Sequence, residues 1–243
     1  MQMQQIYTNT EELLTALANF FVAASRQAIA DYGTFSVALS GGSSPKKLYE
    51  KLASAAYRDQ LDWSNIYFFF GDERYVPSDD PDSNALMAQK ALFDPLAIPE
   101  TQIFRVNTSL SPQEAAADYA RSIKQHFNSE QVQFDLVLLG LGDDAHTASL
   151  FPGTPVLHEQ AATVTSVFLK DKDVYRITLT APLINQARDI AFLVYGDSKA
   201  AAVQQVLEAE KNIETYPAQL IQPASGNVHW FIDVSAAALL RDK

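Results

Sequence analysis

The chain has no cysteine among its 243 residues, which removes disulfides, zinc–thiolate sites and thiol nucleophiles together. The absence also fits a reducing compartment, and a cytoplasmic protein is expected. Positive charge is scarce: 18 Lys and Arg stand against 29 Asp and Glu, a net charge of −11. Nucleic-acid binding rests on cations that neutralise phosphates, so no nucleic-acid partner is expected. A phosphorylated metabolite remains possible wherever a few cations gather. Long apolar runs are missing as well. The stretch from Leu13 to Ala30 is broken by Asn19, Ser25, Arg26 and Gln27, short of the roughly 20 apolar residues of a membrane span. Residues 1–10 carry no basic side chain, so a signal peptide is not expected either, and the chain reads as soluble with no membrane partner. Internal repeats and low-complexity segments are also lacking.

What the sequence does hold is material for a core, with 47% apolar and 19% charged residues, unlike disordered or fibrous compositions. Apolar residues at helical spacing run from Glu11 to Asp31, with Leu13, Leu14, Leu17, Phe20, Phe21 and Ala24 on one face. Short buried strands are expected at Phe35–Leu39, from about residue 35 onward, then at Ile66–Phe70 and Phe134–Leu139. Later strands are expected at Ala162–Leu169, Tyr175–Leu179, Ile190–Tyr195 and Val228–Ile232. Helices are expected after Ser43 or Ser44, at Ser83–Phe93, at Pro112–Phe127 and from Asp197 to about Ala209. Strands alternating with helices predict an α/β fold: a three-layer, Rossmann-like, doubly wound and mostly parallel sheet with helices on both faces. The Pro77–Asp82 cluster reads as a surface loop, so residues 1–243 are taken as one domain. No obvious exposed apolar stripe asks for a partner, and a monomer is expected.

Ligands of such folds sit outside the carboxyl ends of the strands. Four polar motifs, at 40–45, 71–75, 140–153 and 196–199, fall at those ends. Ser40-Gly41-Gly42-Ser43-Ser44-Pro45 opens a helix, where free amides and the dipole favour an anion. The same residues also suit an ordinary capped turn, and the lysine ending of a nucleotide P-loop is absent. Gly196-Asp197-Ser198-Lys199 opens a helix with a cation in its first turn. The macrodipole disfavours that placement, which points to an anionic partner. Asp72-Glu73-Arg74-Tyr75 suits either a functional cluster or a structural ion-pair network.

The stretch from Gly140 to Gly153 begins like a dinucleotide fingerprint. Pro152 and Gly153 would interrupt the long helix that fingerprint needs, and no acid follows about 20 residues on at the next strand. His146 is left in a strand-end loop with Asp144 two residues before it, an arrangement able to fix an imidazole tautomer for general-base work. His126, His158 and His229 lack metal-ligand spacing and read as structural or exposed.

Taken together, the segments VALSGGSSPKKLYEKL, FFFGDERYVPSDDPDSNALM, FDLVLLGLGDDAHTASLFPGT, RITLTAPLIN and YGDSKAAAVQQVL resemble the 6-phosphogluconolactonase family in content, order and spacing. HTASLFPG is the most specific of its marks. The resemblance implies hydrolysis of 6-phospho-D-glucono-1,5-lactone to 6-phosphogluconate, with no metal and no organic cofactor. It implies His146 as the base supported by Asp144, and Asp72 lining the pocket. Arg74 would face the phosphate or lactone end. Gly41, Gly42, Ser43 and Lys199 would hold the phosphate, helped by Arg176. One departure is Ala145, where the family normally has glycine. A positive φ there would cost on the order of 1 kcal/mol or more.

Two other readings compete. A glucosamine-6-phosphate deaminase has a related fold, but its counterpart motif ends in phenylalanine-asparagine-glutamate-proline, and Phe151 stands here in the glutamate's place. A non-catalytic sugar-phosphate-binding module would often carry a basic helix-turn-helix region, and none precedes the domain.

Overall fold

The computed structural model describes residues 2–129 and 131–241. Among the described residues nine strands form two sheets. The larger has six strands in the order β1-β9-β8-β5-β2-β3, built from β1 (Gln2–Tyr7), β2 (Phe35–Leu39), β3 (Ile66–Phe70), β5 (Leu136–Leu139), β8 (Asp189–Val194) and β9 (Asn227–Asp233). Every pairing within it is parallel.

Alternation along each strand sorts side chains onto two faces. Phe35, Val37 and Leu39 of β2, Ile66, Phe68 and Phe70 of β3, and Leu136 and Leu138 of β5 enter one core. Helix α1 (Thr10–Tyr32), helix α2 (Ser43–Ala53) and the helical segment that starts with α3 (Asn84–Ala88) cover that face. Ala38, Phe69, Val137, Leu139, Phe192 and Trp230 point the other way. There they meet α5 (Pro112–Phe127), α6 (Ala181–Ile184) and α7 (Ala200–Glu208). Each large apolar side chain buried in this way contributes roughly 1.5–3 kcal/mol. The expected three-layer, doubly wound parallel sheet is the fold observed.

Helix boundaries follow from local chemistry. The Asn9 side chain accepts the Glu12 N–H at the start of α1, and Gly33 ends it in the left-handed region at φ 83°. Ser111 and Glu114 form a reciprocal capping box on α5. After α3 the chain passes through a π-helical turn at Gln89–Phe93 into α4 (Asp94–Leu96). By length and composition α1, with a mean hydropathy of 1.3 in its most apolar stretch, is long and apolar enough to cross a membrane. That corrects the expectation that no segment comes near. Leu13, Leu17 and Phe21 are fully buried, and Phe21 meets Phe35 edge-on at 5.3 Å. Core packing accounts for the apolar content of this helix.

Two features depart from the sequence expectations. The first strand is β1, at the chain's start and not near residue 35, and it adds to the sheet edge beside β9. Half of its side chains are exposed and none is fully buried, so no apolar pattern marks it. The second departure is a separate antiparallel sheet of three strands in the order β4-β7-β6. It consists of β4 (Asp72–Arg74), β6 (Val164–Leu169) and β7 (Val174–Leu179). Val164, Val167, Leu169, Ile177 and Leu179 pack it onto the α5 side of the main core.

Candidate active site

Strands β2, β3, β5 and β8 run parallel, so their carboxyl ends open on one edge of the sheet. The loops leaving those ends contain the four polar motifs, and one cavity of about 240 Å³ gathers them. Its lining includes Gly41, Gly42, Ser43, Asp72, Arg74, Asn84, His146 and Lys199.

The chain from Gly140 to Leu150 forms a compact knot instead of a helix, which removes the dinucleotide-binding alternative structurally. Gly142 N–H donates to the His146 carbonyl at 2.8 Å, and Ala145 N–H donates to the Gly142 carbonyl at 3.0 Å. The Thr147 hydroxyl donates to the Gly140 carbonyl at 2.8 Å. Glycine is required at 142, because a Cβ there would lie 2.0 Å from His146 Nδ1 and 2.5 Å from an Asp144 oxygen. Ala145 has φ 61° and is fully buried, so alanine occupies the left-handed backbone at this turn.

That knot sets the histidine. Asp144 Oδ1 lies 2.5 Å from His146 Nδ1 and also accepts the His146 backbone N–H at 3.2 Å. Partial burial pushes the Asp144 carboxyl up, but the hydrogen bonds and charge of His146 outweigh it and hold the group at about 2. An ionised carboxylate only accepts, so the imidazole edge that meets Asp144, at Nδ1, is the donor of this pair. Phe151 stacks on the imidazole with ring centroids 4.0 Å apart and planes 23° from parallel. The ring is held by a carboxylate at one edge and an aromatic face beneath.

Asp72 is fixed from two loops. Its Oδ2 accepts the Ser149 hydroxyl at 2.7 Å, while its backbone carbonyl accepts Asn84 Nδ2–H at 2.9 Å. Glu73 points away from the cavity and is only 2% exposed. Burial pushes its carboxyl up, partly offset by the amides of Ala85, Asn84 and Arg74. It accepts those N–H groups at 2.8, 2.7 and 2.7 Å, so it caps the start of α3 from inside. Arg74 lines the cavity and donates through Nη1 to the Asp82 carbonyl at 2.7 Å. Residues 72–74 are therefore both functional in placement and structural in wiring. Glu73, Asn84 and Ser149 had no signal of their own in the sequence. Their partners lie up to 77 positions away.

The anion-binding expectation maps onto α2. Its N-cap Gly42 has φ 103°, no side chain caps the helix, and the first turn carries no acid, which leaves an electropositive end facing the cavity. Lys199 ends a short 3-10 turn at Asp197–Lys199 and stands at the N-cap of α7. Its Nζ lies 2.6 Å from Asp143 Oδ1. Arg176 is not among the residues lining this cavity. It sits on β7 directly opposite Arg74. Burial and the neighbouring Arg74 charge push its guanidinium down.

The other histidines lie elsewhere. His126 is packed among Tyr67, Phe69, Phe104 and Phe127, and burial pushes its imidazole down. His158 is exposed beside Glu214, and buried His229 meets Asp189 at 2.8 Å. Among the described residues no group of three or more His, Cys, Asp or Glu is placed to hold a metal.

Over residues 8–230 the chain matches the family described as glucosamine-6-phosphate isomerases/6-phosphogluconolactonase. It is 45% identical to the 6-phosphogluconolactonase of Synechocystis, over 88% of this chain and 88% of that relative. It is 37% identical to the human 6-phosphogluconolactonase, over 97% of this chain and 92% of that relative. The structure of 6-phosphogluconolactonase from Trypanosoma cruzi superposes with a TM-score of 0.89 at 28% identity, covering 99% of this chain and 97% of the other. A monomeric glucosamine-6-phosphate deaminase shares the fold alone, with a TM-score of 0.82 at 22% identity over 98% and 99% of the two chains. The chain belongs to the family of glucosamine-6-phosphate isomerases and 6-phosphogluconolactonases.

Proposed function

We propose that this chain is a cytoplasmic 6-phosphogluconolactonase that hydrolyses 6-phospho-D-glucono-1,5-lactone to 6-phosphogluconate, with His146 as the general base. The observation that carries the proposal is the Asp144–His146 pair, whose histidine lines the same cavity as the bare N-terminus of α2 and Lys199. The identity to 6-phosphogluconolactonases over most of the chain supports the same reading.

A lactone is an activated ester, so a modest catalyst suffices. The 6-phosphate seats on the amides around Gly41, Gly42 and Ser43, with Lys199 exchanging Asp143 for the phosphate. Arg176 adds positive potential from its place on β7 opposite Arg74. Binding at the phosphate orients the lactone carbonyl beside the base. His146 Nε2 takes a proton from water as its oxygen attacks C1, and the carbonyl electrons move onto oxygen. Arg74 stabilises that oxyanion. Collapse breaks the bond from C1 to the ring oxygen, which receives the proton from His146. The product is the open-chain acid, and Asp144 stays ionised throughout.

Phe151 argues against the isomerising reading, since the residue stacked on His146 offers no carboxylate for ring opening. The test sets acid release from freshly made lactone against ammonia release from glucosamine 6-phosphate. Lactone turnover well above the spontaneous rate, without ammonia, is expected. Ammonia release without lactone turnover would overturn the assignment.

A further inference from the structure

The chain that follows His146 turns back on itself. Thr147 and Leu150 form an antiparallel bridge, and Leu150 N–H donates to the Thr147 carbonyl at 3.0 Å. Across such a bridge the next facing pair is His146 and Phe151. Their rings meet there face to face, with centroids 4.0 Å apart and planes 23° from parallel. The chain beyond Phe151 is anchored as well. The Phe151 carbonyl accepts the Thr154 hydroxyl at 2.6 Å, and Gly153 N–H donates to the Glu214 carbonyl at 3.2 Å.

Asp144 meets the imidazole at Nδ1, which fixes one edge of the ring but leaves the tilt of its plane open. The Phe151 face closes that freedom. It also has an electrostatic consequence, because an aromatic ring is negative on its face and attracts a cation within about 6 Å of its centroid. One cation already uses this ring: Lys172 Nζ, from the turn between β6 and β7, lies over it at 5.3 Å from the centroid. Neutral His146 gains only contact from the stack, whereas the imidazolium gains charge attraction too. An interaction that strengthens as the proton arrives lowers the barrier to its transfer. Asp144 and Asp72 favour positive charge on His146, while Arg74, Lys199 and Lys172 oppose it. Phe151 adds to the first side without bringing a charge or a proton of its own.

We propose that Phe151 is a positioning residue for the base: its aromatic face, and not its bulk, sets the plane of the His146 imidazole and steadies the imidazolium formed when Nε2 takes the proton from water. The assignment rests on the lactonase reading above.

The experiment compares the parent with Phe151→Tyr, which keeps the face, and Phe151→Met, which keeps much of the volume without it. Phe151→Leu serves as a second aliphatic variant. Calorimetric titration with 6-phosphogluconate counts the folded sites in each preparation and gives their Kd. Per folded site, the aliphatic variants should lose about 3- to 30-fold in kcat on 6-phosphogluconolactone. KM and the Kd for 6-phosphogluconate should move less than about twofold, and Phe151→Tyr should recover most of the loss. In proton NMR spectra the His146 ring resonances are identified by their absence from His146→Ala. They should move downfield in Phe151→Met and stay near the parent's position in Phe151→Tyr, since only an aromatic face shields them. Equal losses in the aromatic and aliphatic variants, or an aliphatic variant as fast as the parent, would overturn the assignment. So would a His146 signal that does not move in Phe151→Met. A parent without lactone turnover would instead remove the lactonase reading, and this assignment with it.

Discussion

At the scale of single residues the site depends on one proton being in the right place. In the proposed mechanism Asp144, beside Nδ1 of His146, keeps that proton in place and leaves Nε2 as the base. Asp144→Asn preserves the shape but can present an amide N–H to the ring and favour the wrong tautomer. A fall in kcat of about 10²- to 10⁴-fold with little change in KM is expected from steady-state kinetics. The same substitution is predicted to alter acid stability. The carboxyl sits at about 2 in the folded chain against an ordinary 3.8. Its stabilisation is therefore complete above about pH 4 and lost as pH falls towards 2. Acid unfolding of Asp144→Asn should be flatter across that window. Neighbouring Ala145 shows how little room the turn has. At φ 61° and fully buried, it accepts no larger side chain. Ala145→Val should cost more than about 2 kcal/mol in urea melts, from left-handed strain and overpacking together.

At the scale of elements, the site is an assembly of strand ends and helix beginnings. Residues Ile66–Phe70 and Leu136–Leu139 are apolar without interruption, and Phe35–Leu39 is broken only by Ser36, because both faces of the sheet are covered. That pattern made the strands, and hence the four loops at their ends, legible from sequence. The start of α2 lacks a side-chain cap and an acid, which suits it to the phosphate of the proposed substrate. Inorganic phosphate should raise Tm in a concentration-dependent way, by about 1.4 kcal/mol of stability at ten times its Kd. Thermal melts of Lys199→Gln should show most of that increment lost, while the melt without phosphate changes little.

Other elements left no trace in the sequence. The strand Gln2–Tyr7 mixes three glutamines with Met3, Ile6 and Tyr7 and buries none of them fully, and its extended form comes from pairing with β9. The strand Asp72–Arg74 has three residues and exists because β7 lies beside it. Ser149 acquires its role only when the Asp72 and His146 loops meet across the top of the sheet, and Glu73 and Asn84 pair only once the chain folds back over the 11 positions that separate them. Local patterns report burial and turn chemistry, whereas these contacts are properties of the folded whole. Arg176 marks the same limit from the other side. Its motif suggested the phosphate pocket, and the fold puts it on β7 opposite Arg74, off the cavity lining.

At the scale of the molecule, a parallel sheet wrapped on both faces delivers four loops to one rim. The whole chain carries a net charge of −11, yet the rim joins a helix N-terminus, Arg74 and Lys199 in one cavity. A local anion site on an acidic protein favours a small phosphorylated substrate over a nucleic acid. The central claim is that this rim hydrolyses a phosphorylated sugar lactone with His146 as base. The measurement that tests it most directly is acid release from fresh 6-phosphogluconolactone, by the parent and His146→Ala side by side, against the spontaneous rate. The account predicts fast turnover by the parent and a loss of about 10²-fold or more in the variant. Equal turnover by the two proteins, or none above the spontaneous rate by either, would contradict it.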